Sequence, residues 1–126
     1  LTEETRQLIT ITELKKMKPT AYLVNTSRGG VIKQADLVHA LNERIIAGAA
    51  LDVFEEEPLP MSDPIRKVPL DRLIMTPHII GTNPQSQVSG ERIAAQSILS
   101  VLAGQVPDTV VNAACVAAWR ERFAVS

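Results

Sequence analysis

The stretch Ala21-Tyr22-Leu23-Val24-Asn25-Thr26-Ser27-Arg28-Gly29-Gly30 decides how this chain folds. Its first five residues form a short, mostly apolar run, which is how a strand buried on both faces reads; such strands are typical of parallel sheets. Gly29-Gly30 breaks the chain. From about Gln34 to Arg44 the spacing of Leu37, Ala40, Leu41 and Ile45 then places apolar residues on one helical face, with Gly48 as the stop. Ala49-Ala50-Leu51-Asp52-Val53-Phe54 reads as a second buried strand whose C-terminal end carries an acid. Leu73-Ile74-Met75-Thr76 is a third, running into Pro77-His78. Between them Pro58, Pro60, Pro64 and Pro69 punctuate an irregular loop that no regular element could cross.

Before this block, Thr2 caps a short helix through Leu8 or Ile9. Thr12 caps another that carries Leu14 and Met17 and stops at Pro19. After it, Asn83-Pro84 is an N-cap followed by proline at the first helical position. A long helix to about Ala103 follows, with Ala95, Ile98, Leu99 and Leu102 on one stripe and Gly104 at its end. Val110-Val111 and a short Ala-rich helix close the chain. On that helix Trp119 and Phe123 share a face and read as a tail that docks apolar surface. Alternation of helix and strand implies an α/β fold with right-handed crossovers and a parallel sheet. Three strands with two unprotected edges make a poor free-standing domain, so half of a larger fold is expected.

The length of 126 residues suits one domain with an ordinary core, and 45% apolar content fits a globular chain. Thirteen basic against fourteen acidic residues leave a net charge of -1, so no basic field exists for nucleic acid or an anionic membrane. No apolar run reaches the ~18 residues of a membrane span, and no leader peptide is visible. The single Cys115 forms no internal disulfide, in keeping with a reducing, cytoplasmic setting. It lies in an Ala-Val context that reads as packing. A chain that begins at Leu1 is expected to be a piece of something longer.

In an open parallel sheet, ligands bind at the carboxyl ends of the strands. Strand one delivers Asn25-Thr26-Ser27-Arg28-Gly29-Gly30 there, strand two Asp52 and then Glu55, Glu56 and Glu57, strand three Thr76-Pro77-His78. Singly, each has an ordinary reading: a solvated loop arginine, a solvated acidic turn, a turn histidine. Asp52 is the least ordinary, because an acid that ends a buried run needs a partner or solvent. Together they gather a cation, several acids and an imidazole on one edge. His39 reads as a surface residue, and two widely spaced histidines with one cysteine make no metal site.

At these residues the sequence resembles the D-isomer-specific 2-hydroxyacid dehydrogenases, the family of phosphoglycerate dehydrogenase, glyoxylate/hydroxypyruvate reductases, D-lactate dehydrogenase, formate dehydrogenase and the C-terminal-binding-protein corepressors. The matching stretches are Leu1-Thr2-Glu3-Glu4-Thr5, Met17-Lys18-Pro19, Leu23 to Gly30, Gly48 to Phe54, Glu57-Pro58-Leu59-Pro60 and Thr76-Pro77-His78-Ile79. They occur in the family's order and spacing and cover about residues 1 to 112. The resemblance implies the second half of a Rossmann-type NAD(P)-binding domain over residues 1–82. Residues 83–126 would then be a linking helix and tail that return to a substrate domain.

It also implies roles. Arg28 matches the arginine that binds the substrate's carboxylate and carbonyl oxygen, Glu57 the acid that supports the histidine, and His78 the general acid/base. Asp52 matches the acid that accepts from the nicotinamide carboxamide. Thr26, Ser27 and Arg28 match the segment along the nicotinamide ribose, and His78 to Gly81 the stretch past the ring. The chemistry is consistent: a guanidinium holds a 2-oxo acid in two places, and an imidazole titrates near neutrality. A carboxylate beside that ring favours the imidazolium and fixes its tautomer. The implied cofactor is NAD or NADP, and the implied substrate is a small 2-oxo or 2-hydroxy acid. The implied partners are the missing N-terminal part of the same protein and a second copy in a homodimer; neither nucleic acid nor membrane is expected.

Two positions depart from the family. Lys33 stands where an Asp is common, so the next helix is expected to lose its acidic start. Ile80 replaces a usually small residue beside the nicotinamide. No Gly-x-Gly-x-x-Gly occurs in the chain. The family's first βαβ unit and nearly all of its substrate domain would lie before Leu1, and the isolated chain is expected to be inactive. The reading from another class is a non-catalytic interaction module, a corepressor-like relative or an associating remnant. An unrelated flavodoxin-like protein would need phosphate-loop chemistry on the first strand, which the sequence lacks.

Overall fold

The apolar runs pair as parallel strands. The computed structural model describes residues 1–123 and sets β1 at Tyr22–Asn25, β2 at Gly48–Leu51 and β3 at Leu73–Met75, in the order β1-β2-β3. The register places Leu23 beside Ala49 and Leu73, and Asn25 beside Leu51 and Met75. Side chains alternate along a strand, so this row shares one face. That face joins the buried cluster formed with Leu14 of α1 (Ile11–Leu14) and with Leu37, Ala40 and Leu41 of α2 (Gln34–Asn42).

The opposite row is open: Tyr22 is 72%, Val24 66% and Ile74 66% exposed. Burial on both faces therefore holds for one face only. An apolar run reports that side chains suit a pleated surface, not how many layers cover it. The α/β class with parallel strands is as expected.

Local chemistry moved several boundaries. Residues after Thr2 form a turn instead of a helix, with the Arg6 N–H donating to Thr2 O at 2.9 Å and the Gln7 N–H to Gly30 O at 2.7 Å. Thr10, not Thr12, caps α1. Glu13 Oε2 accepts from the Thr10 N–H at 3.0 Å and its hydroxyl at 2.7 Å, completing a capping box. Those bonds, the hydroxyl's first, pull the Glu13 carboxyl down from 4.5 to about 2. Its contribution to stability is therefore complete above 4.5 and is lost as pH falls through about 2. Thr10→Ala is expected to cost about 1 kcal/mol near neutrality. It should also flatten the acid dependence between 4.5 and about 2, as urea midpoints across that range would show.

The helix after Lys33 keeps a negative start, contrary to expectation, because one acid reaches it through space and another lies in its own first turn. The Gln34 N–H donates to Glu55 Oε1 at 3.2 Å, and Asp36 in the first turn pairs with Lys33 at 3.1 Å. The proline-rich loop also contains order. Asp63 accepts from the Ile65 N–H at 2.8 Å to start a 3-10 turn over Pro64–Lys67, and this turn drives fully buried Ile65 into the core.

The chain divides into two compact units, Leu1–Ile80 and a second that starts at Gly81. In the second, the Asn83 side chain accepts from the Ser86 N–H at 2.9 Å to cap α3 (Pro84–Leu102), as its sequence indicates. Ile98, Leu99 and Leu102 of the expected stripe are exposed. On α4 (Cys115–Phe123) the Trp119 and Phe123 rings lie 5.9 Å apart on one face. Cys115 is exposed rather than packed, its thiol 3.4 Å from Asn112 Oδ1; Ala and Val neighbours on a helix do not by themselves bury it. Among the described residues no helix is long and apolar enough to cross a membrane.

Candidate active site

Asn25 ends β1 and folds the loop that follows. Buried and 5% exposed, it accepts from the Ser27 N–H at 3.1 Å and hydroxyl at 2.8 Å, while its Nδ2 donates to Arg28 O at 3.0 Å. This side-chain turn leaves Thr26, Ser27 and Arg28 exposed at the sheet edge. Arg28 Nη1 donates to Ser27 O at 2.7 Å. The next residue must be glycine: a Cβ on Gly29 would sit 1.9 Å from the carbonyl carbon and oxygen of Phe54. The Arg28 loop thus lies directly against the segment that leads from β2 to Glu57.

Glu57 is held at both oxygens. Oε1 accepts from the Phe54 N–H at 2.8 Å and Oε2 lies 2.7 Å from His78 Nδ1. The His78 bond, then the Phe54 amide and the nearby charges of His78 and Arg28, hold the Glu57 carboxyl below its ordinary range against the cost of burial. His78 is about half exposed and has φ 53, in the left-handed region that non-glycine residues rarely enter. Asp52, 2% exposed, accepts from the Thr76 hydroxyl at 2.5 Å, the Ile79 N–H at 3.0 Å and the Ile80 N–H at 3.1 Å. The Thr76 bond leads in keeping its carboxyl below the usual range, despite desolvation.

The structure therefore joins Glu57 to His78 in direct contact, with Arg28 on the neighbouring loop. Gly81 stands at the start of the second unit, where an added Cβ would meet nothing within 4 Å. Beside the histidine opens a cavity of about 690 Å³, walled by Phe54, Leu59, Met75 and Pro77 and reached by Arg66. The guanidinium of Arg66 is held to the loop by Leu59 O at 2.7 Å and Pro60 O at 2.8 Å. Neither Arg66 nor the structural duty of Asn25 emerges from sequence reasoning. Arg66 carries no signal beyond a proline-rich setting, whereas Asn25 carries one, an Asx residue at a strand end before a break. Of the three consecutive acids, Glu55 serves α2 and Glu57 the histidine, so the run is not merely a solvated turn. Among the described residues no group of His, Cys, Asp and Glu is arranged to hold a metal ion.

A parallel α/β unit that collects an arginine, a carboxylate-paired histidine and a buried acid at its strands' carboxyl edge has the form of half a nucleotide-binding domain. Residues 1–80 match the D-isomer specific 2-hydroxyacid dehydrogenase family, NAD binding domain. The chain belongs to that family. It is 46% identical over 112 residues to a glyoxylate reductase of Thermofilum pendens, covering 89% of this chain and 32% of that one. Among solved structures it superposes on the holo D-mandelate dehydrogenase of Rhodotorula graminis with a TM-score of 0.78 and 31% identity, over 89% of this chain and 32% of that one. A D-isomer specific 2-hydroxyacid dehydrogenase from Xanthobacter autotrophicus, in complex with NADPH and MES, gives a TM-score of 0.70 at 35% identity, over 89% and 43% of the two chains. The chain spans about a third of the length of the relatives it matches.

Proposed function

We propose that this chain is the C-terminal portion of an NAD(P)-dependent D-2-hydroxyacid dehydrogenase, which reduces a small 2-oxo acid reversibly to its 2-hydroxy acid. One observation carries the reading: His78 Nδ1 lies 2.7 Å from Glu57 beside the Arg28 loop, at the edge where parallel sheets take ligands. A nicotinamide cofactor, when bound, supplies the hydride.

The chain's own residues do the rest. The Arg28 guanidinium holds the substrate carboxylate and draws charge from its carbonyl oxygen. His78, with Nδ1 committed to Glu57, has Nε2 left to give a proton to the oxygen that becomes the alcohol. Glu57 orients the ring through its bond to Nδ1. The donor set suits the nicotinamide end of the cofactor: Asp52 Oδ2 takes a single amide at 3.1 Å, which leaves acceptor capacity for a carboxamide, and the exposed Thr26–Arg28 backbone suits a ribose. The proposed partners are the remainder of the same protein and a second copy in a homodimer.

The test joins residues 1–112 to the preceding part of the Thermofilum pendens glyoxylate reductase. Oxidation of NADH or NADPH with glyoxylate or hydroxypyruvate is expected for the joined protein and no turnover for the 126-residue chain alone. A joined protein that folds, binds NAD(P)H and turns over no 2-oxo acid would favour a non-catalytic interaction module. Turnover by the isolated chain would refute the assignment of a partial site.

A further inference from the structure

Asp52 lies one residue beyond β2, is 2% exposed, and has no cation in ion-pair contact among the described residues. A carboxylate removed from water needs strong donors in compensation. All three of its donors come from one five-residue segment: the Thr76 hydroxyl and the Ile79 N–H reach Oδ1 at 2.5 and 3.0 Å, and the Ile80 N–H reaches Oδ2 at 3.1 Å. These donors flank His78 on both sides. The histidine N–H turns back to Thr76 O at 3.1 Å, and its φ of 53 is one that a β-carbon disfavours. Such a conformation persists where surrounding bonds over-determine it. Here three of them converge on a single side chain.

We propose that Asp52 is the positioning residue for His78: by gripping Thr76, Ile79 and Ile80 it locks the left-handed turn that presents the imidazole to Glu57. Its catalytic meaning rests on the reading of His78 as the proton donor, but the positioning itself does not. The carboxamide contact implied by resemblance would use a remaining acceptor site on Asp52. The positioning role needs no cofactor and is already complete in this chain. The grip is also cross-strand, since Asp52 follows β2 whereas Thr76 follows β3 directly. The position of the histidine is thereby tied to the pairing of the two strands rather than to its own loop.

The readout is the Glu57 carboxyl, which is held low chiefly by the His78 bond, with Phe54 N–H as second donor and the Arg28 charge as the smallest influence. Carbon-detected NMR titration of Glu57 in the 126-residue chain follows the contact without cofactor or substrate. In Asp52→Asn an amide group replaces one acceptor and faces a backbone N–H, so the turn loosens and the Glu57 midpoint should rise toward its ordinary 4.5. Thr76→Val removes only the hydroxyl and should move the midpoint the same way by less; Thr76→Ser should restore it. If Asp52→Asn fails to fold, the two Thr76 variants decide. A folded Asp52→Asn, or a Thr76→Val, with the wild-type Glu57 midpoint overturns the proposal.

In the joined enzyme, Thr76→Val should lower kcat on the order of tenfold with the KM for NAD(P)H unchanged. A rise in that KM with kcat intact would show that the segment serves the cofactor instead, and would overturn the positioning role. If the joined enzyme has no activity, the dehydrogenase reading fails, while the Glu57 titrations still decide for or against the grip.

Discussion

Gly29→Ala is expected to be the most damaging small substitution in the chain. The added methyl would stand 1.9 Å from the Phe54 carbonyl and 2.5 Å from the Glu55 nitrogen, so it meets backbone and not the yielding end of a side chain. Relief requires the loop after β1 and the loop after β2 to part. These are the segments that carry Arg28 and Glu57, so stability and site geometry should fail together. A loss of about 3 kcal/mol is expected, the upper part of the range for overpacking, because neither neighbour can rotate away. Gly81→Ala, with nothing within 4 Å of its added carbon, is the control and should change stability by no more than about 0.5 kcal/mol. Urea denaturation of the two variants measures the contrast; equal midpoints would show that the loops are not in contact.

The second large effect concerns His78. In the joined enzyme His78→Gln should lower kcat by about 10²- to 10⁴-fold, the usual worth of a positioned proton donor, with little change in cofactor affinity. Glu57→Gln should do less damage, because the imidazole remains and only its orientation is loosened. The Glu57 carboxyl is lowered by its bond to His78, so in the wild-type protein the pair stays intact through neutral and mildly acid pH. Its contribution to stability is present above the ordinary carboxylate value and is lost only as pH falls through the lowered one. Rate measurements against pH with the two variants would show this: Glu57→Gln should lose the acid limb that belongs to the pair. A His78→Gln enzyme of undiminished kcat would remove the histidine from the chemistry.

What the sequence made legible follows from how each feature is encoded. The three strands, α2 and α3 announce themselves through apolar runs, helical spacing, glycine stops and the Asn83-Pro84 start, all of which are local. The pairing of Glu57 with His78 was open to reading only through ordered motifs, because 21 residues separate the two and no periodicity links them. The features that escaped are those that depend on what lies opposite. The open row of Tyr22, Val24 and Ile74 could not be told from a covered one, since identical side chains suit both. The start of α2 looked bare at Lys33 because one of its two acids, Glu55, arrives from 21 residues away. Thr10 rather than Thr12 caps α1, a choice settled by which hydroxyl Glu13 can reach back to.

The carboxylate of Asp52 has a consequence for how the sheet assembles. Slipping β3 by one residue against β2 would move its end by ~3.3 Å and turn its side chains to the other face. The Thr76 hydroxyl and the two amides beyond it would then miss Asp52, leaving a charge sealed from water without partners. The same slip would carry buried Leu73 out of the core, whereas Ile74 in the open row has no packed surface to lose. The acid thus acts as a second proofreader of strand alignment, adding an electrostatic penalty to the packing penalty at Leu73. The register that buries Leu73 is therefore also the one that gives Asp52 its donors and sets the turn carrying His78.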